Sequence, residues 1–426
     1  METVLAGFIL VATLTLVLIR PKDVSETWWA LLGGGLTLLL GVVTLRQMWS
    51  ILLETQDALV LLVGMMALSA VAEKAGFFDW AAALTARAGG GSVLRLYSCV
   101  ILVGTLITAT LSLDATAIVL TPIIYGMVVR LRLSPMPFMF ACVYTANTAS
   151  LFLPVSNLTN LLAYDAFDLD FARFALSMLI PASMAMLANA VVLAWLFRND
   201  LRGSYEQKLP SFVPEDRRFF QLATGAVAGV LVAFFLAPIF GIHIGLVALV
   251  VGALVVFVAW LRGWMTLREV ASNISWSILA LVIGLFLVVQ GVENAGLGYV
   301  VRQAFAVAAP GGGFFQILGI AVGSALGSNF INNVPMLVVA LGATEPLVSK
   351  GTLGLASVYA VILGTNIGPN LTTVGSLATL IWLAIIRGRG MDVTAKDYLR
   401  VGAISTPVIL VVAAIGLWIS LQVFST

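Results

Sequence analysis

The sequence predicts an all-α polytopic membrane protein built from two inverted-topology repeats, with about ten transmembrane helices, two re-entrant helical hairpins and two broken helices. Three observations lead there. The chain has 426 residues, 61% hydrophobic and only 10% charged, with a mean hydropathy of +1.08, and so little charge cannot cover a soluble surface. Apolar runs long enough to cross a bilayer recur along its whole length. The two halves also match each other at a nearly constant spacing.

The spans come first. Uninterrupted apolar stretches cover 3–19, 28–45, 57–73 and 171–197, then 219–240, 243–261, 275–293 and 400–424. The first follows the acidic Glu2 and precedes Arg20 and Lys22, the reverse of a signal-peptide charge order, so it reads as a retained helix. Segments 137–165 and 353–386 are apolar but interrupted by Asn, Pro, Gly, Ser and Thr, which makes them broken helices. Segments 94–131 and 313–342 are paired half-length apolar stretches around a polar tip, which makes them hairpins. Irregular backbone survives at membrane depth only where protein or a cavity surrounds it. The first repeat is therefore expected over 1–197, a linker over 198–218 and the second repeat over 219–426.

Charge supplies the sidedness. With both hairpins returning to their own side, the chain starts and ends outside and the linker is cytoplasmic. Only Arg46, Arg173, Arg302 and Lys350 then fall outside, leaving 18 of the 22 Lys and Arg inside, as the positive-inside rule requires. The net charge of +2, with no basic block, excludes a nucleic-acid partner. Cys99 and Cys142 both lie in expected spans, so neither a disulfide framework nor a cysteine metal cluster is expected, and no cofactor is implied.

The internal match locates a site. Gly64–Gly76 aligns on Gly284–Gly296 at a spacing of 220, pairing Glu73 with Glu293. Asp114 then falls opposite Asn333, and Asn147 opposite Asn366, both at 219. An odd number of crossings per repeat turns the second upside down, and such repeats place a substrate near the midplane where the breaks meet. The alternative is that these Gly, Pro and Asn residues only kink helices or aid close packing, which four symmetry-related interruptions disfavour.

Amides and hydroxyls dominate the four interruptions. The first tip carries Ser112, Asp114 and Thr116, and the second Asn329, Asn332 and Asn333. The first broken helix carries Asn147, Thr148, Ser150 and Asn157, and the second Asn366, Asn370, Thr372 and Thr373. Groups that both donate and accept hydrogen bonds suit a small neutral polyhydroxyl molecule or a weakly charged oxyanion. Without Lys or Arg there is no bidentate anion clamp, which argues against dicarboxylates and phosphate esters. Asp114 is the only carboxylate expected deep in the membrane, where it can alternate between neutral and charged forms as access switches sides, or else simply cap the hairpin helix. Glu73 and Glu293 read as solvated or capping residues, and His243 as part of an inert outer turn. Two thiols cannot form the three-sulfur site a soft metalloid favours.

The string Gly368–Leu380 resembles the broken-helix signature of the arsenite–antimonite efflux permeases of the ArsB type, within the ion-transporter superfamily. Asp114–Pro122 resembles that family's first hairpin, although Leu113 and Ala115 stand where the family often has Asn and Gly. Asn147–Leu151 and Val155–Leu158 resemble its first broken helix. The resemblance covers essentially the whole chain. It implies a bacterial inner-membrane antiporter that exports arsenite or antimonite in exchange for protons, with the fourteen polar residues named above as substrate ligands except Asp114, which would couple the protons. Some members dock a soluble arsenite-stimulated ATPase, a partner open to this chain too. Arsenite at neutral pH is an uncharged trihydroxide, which matches amides and hydroxyls without cations. The runner-up is a sodium-coupled anion transporter or a sodium–proton antiporter of the same superfamily. A membrane-embedded enzyme would need a catalytic cluster, and the sequence has none in view.

Overall fold

A computed structural model describes residues 2–19, 26–206, 213–294, 313–348, 352–391 and 393–424. Arg20, Lys22, Lys208, Arg302 and Lys350, which the sidedness argument counts, lie outside the described residues, and so does the side chain of Glu293. Among the described residues all regular structure is helical apart from one isolated bridge, Ser92 with Ser204.

The chain opens with α1 (Glu2–Ile19), α2 (Glu26–Leu39) and the long α3 (Leu45–Lys74). A capping box at Thr44 and Gln47 starts α3 by satisfying two of its free N–H groups. The amphipathic α4 (Phe77–Ala88) follows; with Asp79 in its first turn and Arg87 in its last, it is too short and too charged to resemble a span. Next come the hairpin arms α5 (Val93–Thr110) and α6 (Thr121–Arg130), the broken pair α7 (Met136–Ala149) and α8 (Leu158–Ala166), and α9 (Phe171–Leu196). The second half runs α10 (Arg217–Leu236), α11 (Ile244–Leu261), the short α12 (Leu267–Asn273) and α13 (Trp276–Asn294). It continues with hairpin arms α14 (Gly313–Ile331) and α15 (Asn333–Val348), the broken pair α16 (Thr352–Ile367) and α17 (Leu377–Arg387), and α18 (Ala395–Phe424). Six of these helices are long and apolar enough to cross a membrane singly, and up to eight if two bent pairs each count as one span.

Close backbone packing is reciprocal between the halves. A Cβ added at Gly64 on α3 would lie 2.4 Å from the Ala248 carbonyl carbon on α11, and one at Gly252 would lie 2.8 Å from the Gly64 oxygen. In the same way a Cβ at Gly284 on α13 would lie 2.6 Å from the Ala30 carbonyl carbon on α2, and one at Gly34 would lie 2.9 Å from the Gly284 oxygen. Ala30/Gly34 and Ala248/Gly252 are each one helical turn apart, so each pair presents the small-xxx-small stripe that lets membrane helices touch backbone to backbone. Each contact joins a helix of residues 1–197 to one of residues 219–426.

The breaks have local causes. Beyond Ala149 the chain turns extended at Leu153, and Pro154 supplies no N–H to continue α7. Helix α8 restarts on Asn157, whose side chain accepts from the Thr159 N–H. At the matching place α16 runs into Gly368 and Pro369, and α17 restarts on Ser376, whose hydroxyl accepts from the Thr379 N–H at 3.2 Å. Each hairpin also folds back on itself. Thr116 is hydrogen-bonded to Thr108 at 2.7 Å, and Gly327 packs directly under Met336.

Candidate functional site

Both hairpin tips and both helix breaks meet around one cavity of about 300 Å³. The first tip contributes Ser112, Leu113 and Asp114, and the second Asn332 and Asn333. The first break contributes Ser156 and Asn157, and the second Ser376 and Leu377. A face of α3 closes one wall with Met65, Met66, Ser69 and Glu73, and Ser272, Asn273 and Ser275 close another. Among the described residues no Lys or Arg lines the cavity, and neither cysteine does.

Each tip is shaped by its own backbone. In the first, the Ser112 hydroxyl accepts from the Ala115 N–H at 3.1 Å. Residues Ala115–Leu120 then form a π-helical turn, in which the Thr121 N–H and hydroxyl both reach back five residues to the Thr116 carbonyl. Such widened turns recur at functional sites. Asp114 stands at the head of this turn, but its side chain caps nothing. It is half-buried against the cavity, with no hydrogen bond or ion pair to its carboxylate among the described residues. The capping alternative therefore does not describe it. In the second tip Asn332 adopts φ +72, a left-handed conformation that Asn tolerates better than most side chains. The turn places Asn333 so that its N–H donates to the Gly375 carbonyl of the second break at 3.0 Å.

Behind the cavity the amides bind one another. Asn147 Nδ2 donates to Asn370 Oδ1 at 2.9 Å and to Thr379 Oγ1 at 3.3 Å, while Ser376 Oγ donates to Asn147 Oδ1. Asn366 repeats the pattern from the other half. Its Oδ1 accepts from Asn157 Nδ2 at 2.6 Å and from Ser150 Oγ, and its Nδ2 donates to Asn160 Oδ1 at 2.8 Å. Asn370 Nδ2 donates to Thr148 Oγ1 at 3.1 Å. At the spacing of 219, Ser376 falls opposite Asn157 and Thr379 opposite Asn160, so two bonds of Asn147 match two bonds of Asn366, while those to Asn370 and Ser150 have no such counterpart. Asn329 sews the second hairpin to its own break: its Nδ2 donates to the Gly368 carbonyl, and its Oδ1 accepts from Thr372 Oγ1 at 2.7 Å. Thr373 is buried beside that break.

Of the residues expected at the site, Ser112, Asp114, Asn157, Asn332 and Asn333 line the cavity. Thr116, Asn147, Thr148, Ser150, Asn329, Asn366, Asn370 and Thr372 stand behind it in the bracing network, with Thr116 held within the first hairpin. Ser156, Ser376 and Glu73 are lining residues beyond those singled out from the sequence. Glu73 shares the helical face Met66–Ser69–Glu73, spaced by three and four residues, and that periodicity was the available signal. The neighbouring Lys74 instead binds Glu269 at 2.9 Å, tying the end of α3 to α12.

Broken apolar helices converging on one cavity of mixed polar and apolar lining define a multi-pass membrane transporter. The sequence profile of the family described as "Arsenical pump membrane protein" matches residues 5–421. The chain is 34% identical to the arsenical pump membrane protein of Escherichia coli K12, covering 98% of this chain and 99% of that one. It is 31% identical to the arsenical pump membrane protein of Yersinia enterocolitica, again covering 98% and 99%. It belongs to the arsenical pump membrane protein family. Its fold is shared by solved structures. The Alcanivorax borkumensis YdaH transporter superposes with a TM-score of 0.63 at 15% identity, covering 99% of this chain and 98% of that one. Neisseria gonorrhoeae MtrF, described as one of a class of antimetabolite efflux pumps, gives 0.52 at 14% identity, covering 84% and 80%.

Proposed function

We propose that this chain exports arsenite and antimonite, as neutral trihydroxides, in exchange for protons, by alternating access around the central cavity. The observation that carries the reading is the lining itself: among the described residues, serine hydroxyls and asparagine amides set between apolar side chains, no Lys or Arg, and two carboxylates, Glu73 on α3 and the unpartnered Asp114 at a hairpin tip. A trihydroxide needs both donors and acceptors and no counter-charge, which is what such groups supply. Ser112, Asn157, Asn332 and Asn333 are the proposed direct ligands. Asn147, Thr148, Ser150, Asn329, Asn366, Asn370, Thr372 and Thr373 hold the broken ends in place around them, and Thr116 holds the first tip. Asp114 is the proton carrier. It discharges its proton toward the cytoplasm and is reloaded from outside, so that its charge state favours substrate release on the outer side.

The proposed setting is a bacterial inner membrane, crossed by two inverted repeats divided at 198–218, with both termini outside and the linker cytoplasmic. A soluble ATPase is an optional partner in this scheme, because the proton gradient suffices as the energy source.

Asp114→Asn tests it in everted vesicles. Arsenite binding should persist while proton-driven accumulation is abolished. Full gradient-driven uptake by that variant would remove Asp114 from the mechanism. Uptake that stops when sodium is withdrawn, and survives collapse of the proton gradient, would favour a sodium-coupled cycle instead.

A further inference from the structure

We propose that Leu61 and Leu161 form an apolar gate between the central cavity and a second cavity, and that the second cavity is the outer vestibule of the same path. The proposal rests on the reading of the central cavity as the transport site.

The second cavity, of about 330 Å³, lies between the end of α8 and the start of α9, with Asp165, Asp168 and Asp170, and the Pro238–Gly245 connection that leads into α11. Two helices run from one cavity to the other. Along α3, Ala58 lines the second cavity, Leu61 lines both, and Leu62 onward to Glu73 line only the central one. Along α8 and its cap the order reverses: Asn157 and Leu158 line the central cavity, Leu161 lines both, and Tyr164 and Asp165 line only the second. At 1.5 Å per residue, the stretch from Ala58 to Glu73 covers roughly 22 Å, most of a bilayer core. Among the described residues no others line both cavities, and these two leucines are 1% and 3% exposed.

The chemistry of the partition fits a gate. Leucine offers no donor or acceptor, so a chain of water molecules cannot cross it, and apolar constrictions close pores by excluding water. A carrier that spends a proton gradient on export must hold back protons whenever it is not cycling. Polar groups flank the partition on both sides, with Asn157 on one and Tyr164 and Asp165 on the other. A small parting of α3 from α8 at this level would therefore join two wet spaces without rebuilding either. The three carboxylates of the second cavity outnumber its one histidine, His243, and among the described residues no Lys or Arg joins them, which disfavours anions at the mouth and leaves it open to protons and to a neutral trihydroxide.

The full chain reconstituted in liposomes provides the test, with a trapped pH dye reporting decay of an imposed proton gradient and no arsenite present. Leu61→Ser and Leu161→Ser should speed the decay several-fold over wild type, and Leu61→Ala with Leu161→Ala should do the same more mildly. Leu62→Ser, which alters only the central cavity, and Leu169→Ser, which alters only the second, should stay as tight as wild type. Gel filtration separates folded variants from collapsed ones, and the alanine pair serves if the serines do not fold. Folded gate variants as tight as wild type would overturn the proposal, and so would controls that leak equally. Because no arsenite enters this measurement, its outcome is separate from whether arsenite is the cargo, which the everted-vesicle exchange decides.

Discussion

Asn366 uses both ends of its amide across the two halves of the chain, accepting from Asn157 and Ser150 and donating to Asn160. Replacing it with alanine leaves Asn157 Nδ2 and Asn160 Oδ1 without that partner, while Ser150 Oγ keeps its bond to the Asn147 carbonyl, and each unpaired group costs about 1–3 kcal/mol where nothing can rescue it. Water from the adjacent cavity softens that penalty, so Asn366→Ala should lose about 2 kcal/mol in total, read as a lower unfolding temperature in detergent. Asn147→Ala, which breaks the counterpart bonds, should lose a similar amount. A large loss in one variant with none in the other would contradict the reciprocity of the network. The cysteines make the opposite forecast. Cys142 is buried away from the cavity and Cys99 also lies off it, so Cys99→Ser combined with Cys142→Ser should leave arsenite transport largely intact. Loss of arsenite binding in a folded double variant would show that sulfur, and not oxygen and amide nitrogen, holds the metalloid.

Helices α3 and α13 each lean on a partner through one glycine. A methyl group at Gly64 or Gly284 would sit within 2.6 Å of main-chain atoms, which cannot swing aside as a side chain can. Gly64→Ala and Gly284→Ala should each cost about 1–3 kcal/mol, while Gly229→Ala, which meets nothing within 4 Å, should cost nothing measurable. Thermal unfolding of the three variants decides it. The long spans were readable in advance because hydropathy is a property of composition over some twenty residues. Helices α4 and α12 were not, since at 12 and 7 residues they carry too little apolar length to stand out. The π-helical turn at Ala115–Leu120 was hidden as well, because an extra residue in one turn leaves no mark in residue type. The same limit explains the site. Asparagine and serine at the breaks marked where polar groups gather, but residue type alone does not say whether an amide faces a cavity, as Asn157 does, or another amide, as Asn147 does.

For the molecule as a whole, exchanging one neutral trihydroxide for one inward proton moves net charge, so membrane potential should drive export alongside the pH gradient. A proton-motive force of about 150 mV supplies roughly 3.5 kcal/mol per proton, enough for a concentration ratio of a few hundredfold. In everted vesicles, uptake should weaken when potential alone is dissipated at constant pH. Uptake indifferent to potential would require an electroneutral cycle and would end the one-proton scheme. The cross-bracing of the two breaks also has a consequence in time. Asn157 and its partner Asn366 are 209 residues apart, so at 5–20 residues per second the first break waits roughly 10–40 s on the ribosome before its partner exists. For that interval the nascent first half lies in the bilayer with its amides unmatched. A membrane chaperone that shelters polar intramembrane segments would find its client there, and a stop codon placed before Asn366 should leave a fragment that is degraded quickly unless the second half is supplied as a separate chain.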